Sequence, residues 1–489
     1  MKLKYLFFVA LILNLLGLKA QFKSFNAEIE LQGGYNGPNS VPFWIRSNQY
    51  GSIPPEGIFT SVLGTVKKSY SKTHAKNFDW GFSAESRLNV GSSTNISLIE
   101  GFGKIRLSVF ELRIGRSKDI IGLCDTSLTS GSYAGSGNSL GIPKVEISIP
   151  EFYTIPFLGK LFAFKGNFVH GWMGNTYKNF DTLVVSPTYL HQKSLYGRFG
   201  KPEWRLKLYG GFNHEVVWGD EGSFMGDDYT LSLFQSFLYV MSGKRFNNNS
   251  IEATRIGNHL GTIDIGLTYD FKNSRLLLYR QSIYEGGALY YFANIVDGLN
   301  GLSITSTTKT DNKFQWHKFV LEFLYTKNQA GETWSRRTPS NIENYFNNGY
   351  YIEGWSYKEK SIGTPFISPK GTIKDELPVA PDEYFVNSRV IAFHLGVEAS
   401  LFDVILKSKF SFSRNYGTYH TAAEGNNYDV AYSFPSPYGI FPITNQFSGL
   451  LEASKELKKG ITLRLLTAGD IGELYDNTFA LICSVSKRF

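Results

Sequence analysis

The side chains best suited to proton transfer or metal ligation are eight histidines: His74, His170, His191, His214, His259, His317, His394 and His420. No two of them share the short spacing of a metal-binding helix or loop. There is no His-Glu-x-x-His and no Cys-x-x-Cys. The Gly-Lys pairs ending at Lys104, Lys160, Lys201 and Lys244 all lack the Ser or Thr that completes a phosphate-binding loop. The two cysteines, Cys124 and Cys483, are expected to remain separate thiols, because Cys483 falls on an apolar strand row. No catalytic residue, metal site or cofactor is therefore expected. A hydrolase whose Ser-His or Asp-His pair comes together from distant strands stays open as an alternative, because such pairs leave no local motif.

A different chemistry is suggested where aromatic rings alternate with amide, imidazole and guanidinium groups. These segments are Pro42 to Gly51, His170-Gly171-Trp172, Leu190 to Lys193, Phe212 to His214 with Val217 to Gly219, Gly257 to Gly261, and Leu278 to Gln281. Sugar C–H faces stack on rings, while hydroxyls and carboxylates take directed hydrogen bonds. The expected glycan contacts are Trp44, Arg46, Gln49, Trp172, His191, Lys193, His214, His259 and Arg280. Two other roles stay open for them: the aromatics as an interfacial girdle, and the His and Arg as a bracing network inside a barrel.

These residues need strands to position them. Trp80, Phe82, Ala84, Leu88 and Val90 alternate with Ser83, Glu85, Arg87 and Asn89. Ile263, Ile265, Leu267 and Tyr269 alternate with Asp264, Thr268 and Asp270, and Ile391, Phe393, Leu395 and Val397 with His394, Glu398 and Ser400. Leu206, Leu208 and Phe212 against Lys207, Tyr209 and Asn213, and Val404 to Phe412, repeat the same period of two. Period alone does not distinguish a soluble sandwich from a lipid-embedded barrel. The ends of the chain do. Met1-Lys2-Leu3-Lys4, an apolar stretch from Tyr5 to Leu18 and Ala20 read as a signal peptide cut after residue 20. Phe479, Leu481, Cys483 and Val485 form a last dyad-repeat strand closing on Phe489, a terminus suited to barrel assembly machinery.

No other run is long and apolar enough for a membrane helix. The expected fold is all-β: one outer-membrane antiparallel barrel over residues 21–489, of roughly 18 strands at roughly 50 residues per hairpin. Short helices, in loops or plugging the lumen, are expected at Ser340 to Phe346, where Ser340 and Glu343 have capping-box spacing, at Asp228 to Met241, and at Gly287 to Gly298. The stretches Ser127 to Ser139 and Thr364 to Pro381 read as loops within the domain. Loss of residues 1–20 removes Lys2, Lys4 and Lys19 and lowers the formal charge from +8 to +5. That excess favours an acidic polysaccharide or lipid headgroups and is far from the basic stripe of a nucleic-acid binder.

The glycan-suited segments carry a resemblance when joined with Ile114-Gly-Arg116, Pro143-Lys144, Leu324 to Gln329, Asn347 to Tyr351 and Asn415 to Tyr419. In this order, from about residue 40 to 420, they resemble the capsule assembly proteins of the Wzi family, in the branch found in Bacteroidetes-type bacteria. The resemblance implies an outer-membrane barrel, plugged by helices, that acts as a lectin and holds exported capsular or other surface polysaccharide without covalent chemistry. The competing reading is a substrate-selective channel lined by Arg87, Arg205, Lys207, Lys407 and Lys409 against Glu85, Asp264 and Glu398.

Overall fold

The computed structural model describes residues 25–71, 77–179, 183–225, 229–244, 246, 255–308, 313–339, 342–423 and 436–489. The expected signal peptide with its cleavage site, His74 and the expected helix start at Ser340 lie outside the described residues. Eighteen antiparallel strands form one sheet. They are β1 (Asn26–Asn36), β2 (Gly57–Lys68), β3 (Phe78–Val90), β4 (Thr94–Leu107), β5 (Phe110–Arg116), β6 (Lys144–Thr154), β7 (Phe162–Asn179), β8 (Leu183–Phe199) and β9 (Leu206–Trp218). The second half comprises β10 (Asn258–Asp270), β11 (Ser274–Tyr284), β12 (Gly298–Ser306), β13 (Phe314–Tyr325), β14 (Val390–Leu401), β15 (Val404–Asn415), β16 (Thr444–Glu456), β17 (Ile461–Gly472) and β18 (Thr478–Arg488). Each strand pairs with its sequence neighbours, and β18 returns to β1 in register, Glu28 opposite Arg488 and Tyr35 opposite Leu481, so the sheet is closed and has no free edge.

The alternation decides the environment. Ile263 and Ile265 on β10 are 48% and 58% exposed, whereas Asp264 between them is fully buried. On β18, Phe479, Leu481 and Val485 are exposed while Ala480, Ile482 and Ser484 are buried. A soluble sandwich buries its apolar row; here that row faces out all round the sheet and the polar row faces in, as in a barrel whose solvent is lipid.

The two ends differ. The end where β1 begins and β18 finishes carries short turns, such as 108–109, 271–273 and 402–403, and the opposite end carries the long connections 37–56, 117–143, 219–257, 285–297, 326–389 and 416–443. Eighteen strands roughly 4.8 Å apart and tilted about 40° enclose a cylinder of roughly 18 Å radius, too wide for wall side chains alone to fill. The described residues of these connections fill it, except for 229–244 of the connection 219–257, which pack on the outer face of the wall. They do so with irregular backbone rather than with the helical plug the resemblance implies. The described part of the Ser340 candidate, 342–346, is bend, turn and irregular chain, and Gly287 to Gly298 contains a single 3-10 turn at Ala288–Tyr291. Besides the one-turn helices α1 (Phe43–Arg46) and α2 (Gly222–Met225), the described residues contain one longer helix, α3 (Leu233–Ser242), which overlaps the Asp228 to Met241 candidate and runs one residue past it. Its capping box is Ser232 with Gln235.

Candidate functional site

The loop 117–143 between β5 and β6 forms the centre of the plug. Residues Leu128 to Asn138 are almost entirely buried, and inward-facing wall residues bond to their backbone. Glu322 on β13 accepts from the Ser130 amide at 2.6 Å, from Thr129 Oγ1 at 2.7 Å and from the Tyr279 hydroxyl. His394 on β14 bonds to the Leu128 carbonyl at 2.7 Å, and Lys409 on β15 donates to that of Thr129 at 3.0 Å. Asp264 accepts from the Leu123 amide at 2.7 Å, and Gln281 from that of Tyr133 at 3.0 Å. A buried backbone must have every polar group satisfied, and the Ser- and Gly-rich composition lets the wall side chains reach it.

Beside this loop the connection 37–56 contributes α1, whose Phe43 amide donates to Asp470 at 2.7 Å and whose Phe43 ring packs on Trp44 and Phe366. The connection 326–389 closes over both. Trp355 Nε1 donates to the Ala134 carbonyl at 2.8 Å, and the Tyr133 ring packs on Tyr345 and Phe346. Three buried carboxylates clasp it to the loop 285–297. Asp297 accepts from the amides of Asn328 (3.1 Å) and Gln329 (2.8 Å) and from the Tyr345 hydroxyl (2.7 Å). Glu343 accepts from the amides of Gly286 and Ala288, both at 3.0 Å, and from Asn294 Nδ2 at 3.1 Å. Glu285 accepts from the Phe346 amide at 3.0 Å and from the Tyr133 hydroxyl. Burial pushes Asp297 up to about 7 and Glu343 up to about 7, and raises Glu285 well above the usual carboxylate range.

The clasped loops present their own aromatics: Tyr290 is 83% exposed, Phe292 70% and Trp334 59%, with Arg336 and Arg337 exposed beside Trp334 in sequence. Phe292 holds φ +56 at the end of the 3-10 turn, a conformation that favours glycine over a bulky residue. None of these residues stood out in the sequence, because they lie in irregular connections without a period.

The nine expected contacts do not converge. Trp44 is buried in the plug, with its ring 5.1 Å from that of His394 and the Lys409 ammonium 4.6 Å from its centre. Arg46 lies over the Tyr475 ring at 4.5 Å. Gln49 lines a chamber of about 290 Å³ between the loop 37–56 and the wall, with Glu30, Arg87, Lys118, Glu452 and Arg464. The other six occupy outward rows. Arg280 donates to Asn300 Oδ1 at 2.7 Å on the neighbouring outward row and to the carbonyls of Ile295 and Asp297 at the rim. Trp172, His191, Lys193, His214 and His259 lie on the outer wall of β7 to β10, where α3 covers His191 and Lys193 together with His170. Phe237 of the helix meets His170 and His191, each at 5.7 Å between ring centres, and Lys193 Nζ donates to the Met241 carbonyl at 2.5 Å. His214 Nε2 lies 2.9 Å from His259 Nδ1. A glycan in the barrel mouth is separated from these five by the wall itself. Among the described residues, no group of three or more His, Cys, Asp or Glu is arranged to hold a metal ion.

A family model described as capsule assembly protein Wzi matches residues 36–368, about two thirds of the chain. The chain belongs to the Wzi family. Among solved structures it is similar to Wzi of Escherichia coli, described as a carbohydrate-binding outer-membrane β-barrel involved in group 1 capsule assembly. That similarity has a TM-score of 0.56 and 12% identity over 96% of this chain and 85% of that one. OprD of Pseudomonas aeruginosa (TM-score 0.45, 10% identity, 95% and 93% covered) and OccAB2 of Acinetobacter baumannii (TM-score 0.46, 10% identity, 95% and 98% covered) are further similar barrels. No curated protein matches the chain. The Wzi membership meets the expectation drawn from the segments between residues 40 and 420, and the closed sheet meets the expected strand number.

Proposed function

We propose that this barrel is seated in the outer membrane, with residues 1–20 removed as a signal peptide and 21–489 forming one domain, and that it holds capsular or another surface polysaccharide at the cell surface by binding alone. The observation that carries the reading is the filled lumen: in a member of a capsule assembly family, the connections 37–56, 117–143, 285–297, 326–389 and 416–443 meet inside the wall and leave their outer surface as the place to bind. The proposed contact face is Tyr290, Phe292 and Trp334 with Arg336. Rings stack on sugar faces, and the guanidinium takes a carboxylate in a bidentate bond. A repeating polymer engages several copies of such a face at once, so weak contacts add up to retention. Acidic sugars fit the basic mature charge, and their affinity falls as salt screens the pairing. Phe489 would serve the barrel assembly machinery, and the outward apolar rows membrane lipid.

The test is binding of the detergent-purified protein to the surface polysaccharide of its source strain, at low and high salt, beside the Phe292→Ala, Trp334→Ala double variant. Losing a stacking ring costs roughly 1 kcal/mol, or roughly fivefold per ring. Salt-sensitive binding lowered by the double variant supports the face. Unchanged binding by the variant moves the site elsewhere. Absence of binding by well-folded wild type removes the glycan reading and makes single-channel conductance the next measurement.

A further inference from the structure

The helix α3 is on the outside of the barrel. Its underside residues Phe237 and Val240 pack on Val216 and Trp218 of β9 and on rings of β7 and β8, all from the row opposite to the one facing the plug. At about 100° per residue, the rest of its circumference divides in two. One flank carries Phe234, Leu238 and Met241, of which Phe234 is 68% exposed; the other carries Gln235 and Ser242. A helix with one face on protein, one apolar flank and one polar flank fits a boundary between hydrocarbon and water.

Its height agrees. Phe162, Phe199 and Trp204 sit at the turn end of the outward rows with their rings in contact, an aromatic girdle. Phe168 and His170, which Phe237 of α3 meets, are six and eight residues further along β7 than Phe162. Six to eight residues rising about 3.4 Å each on a strand tilted about 40° climb roughly 16 to 21 Å, within the roughly 25 Å apolar band of such barrels. The helix therefore lies in the upper part of the band, on the same outward rows as the exposed residues Ile263 and Leu195.

We infer that α3 is an in-plane membrane strap, with Phe234 and Leu238 among the acyl chains of the outer leaflet, and that it shields from lipid the polar patch His170, His191, Lys193, His214 and His259. Charged and imidazole groups on a lipid-facing row are costly, most of all at depth. The strap removes them from hydrocarbon, and the apolar flank replaces the barrel surface it covers. This holds whatever the loops bind.

The experiment places an environment-sensitive fluorophore at Phe234→Cys, and separately at Leu238→Cys, in the full chain carrying Cys124→Ala and Cys483→Ser, reconstituted into phospholipid vesicles. Leu451→Cys on the outward row of β16 marks lipid, and Lys458→Cys in the turn 457–460 marks water. The expected result is blue-shifted emission at both helix positions, quenched severalfold more by spin-labelled acyl chains than by aqueous iodide, as at position 451. Iodide quenching like that of position 458 overturns the strap. Protection from both quenchers also overturns it, because it means that protein, such as a second copy of the chain, covers the flank. Only variants that keep the heat-modifiable gel mobility of the folded barrel are compared.

Discussion

The clasp between the loops 285–297 and 326–389 should tighten in acid. Asp297 and Glu343 titrate near 7 in the folded protein because both are buried, whereas free carboxylates titrate at about 3.9 to 4.3. A folded value raised above the unfolded one means that the closed clasp binds more protons than the open one. The stabilisation is complete below about pH 4 and is lost as pH rises through about 7. Between pH 5.5 and 7.5 each group changes the opening free energy by roughly 2 kcal/mol, at 1.36 kcal/mol per pKa unit, or roughly thirtyfold in the opening equilibrium. The amides of Gly286 and Ala288 donate to Glu343, and those of Asn328 and Gln329 to Asp297, so these four are direct reporters. Hydrogen exchange of peptides spanning them, corrected for intrinsic base catalysis, should slow at least tenfold at pH 5.5 relative to 7.5. The Asp297→Asn, Glu343→Gln double variant should flatten that dependence. Equal protection at the two pH values, faster exchange in acid, or the wild-type slope persisting in the double variant would refute the argument.

Two further substitutions separate the plug from the binding face. Glu322→Ala leaves the Ser130 amide, Thr129 Oγ1 and the Tyr279 hydroxyl without their acceptor, at roughly 1.5 to 3 kcal/mol per bond to a charged group. The loop 117–143 should become protease-sensitive, and planar-bilayer recordings should show brief openings absent from wild type; an equally resistant and equally silent variant would contradict the plug's anchoring. Phe292→Gly relieves a left-handed backbone and should stabilise the loop by roughly 1 kcal/mol while weakening polysaccharide binding severalfold. Calorimetry and binding read the two effects in opposite directions, and full-strength binding would take Phe292 out of the contact face.

The strands were legible because their signal is local: Trp80 to Val90 or Ile263 to Asp270 state both faces within a dozen residues, and closure followed from the terminal strand ending at Phe489. The plug was not, because its partners are far away in sequence. Leu128 meets His394 and Ser130 meets Glu322 across hundreds of residues, and nothing in the Ser/Gly-rich stretch itself says that it turns inward. The site residues show a different limit. His170-Gly171-Trp172, Leu190 to Lys193, Phe212 to His214 and Gly257 to Gly261 do break the strand pattern, and ligand contact is one way to use such a break. Register supplies the other. His170 pairs with His191, His191 with Val216 and Val216 with His259, so the breaks lie side by side at one height on four consecutive strands, all on the row that elsewhere meets lipid. A polar band on that row needs cover before it can offer a site. The connection 219–257 leaves from β9 and returns to β10, inside the band, and carries a capped helix with enough apolar surface for the barrel and for lipid alike. Pattern breaks that align across neighbouring strands on the lipid row are thus better read as the footprint of a covering element than as a binding face.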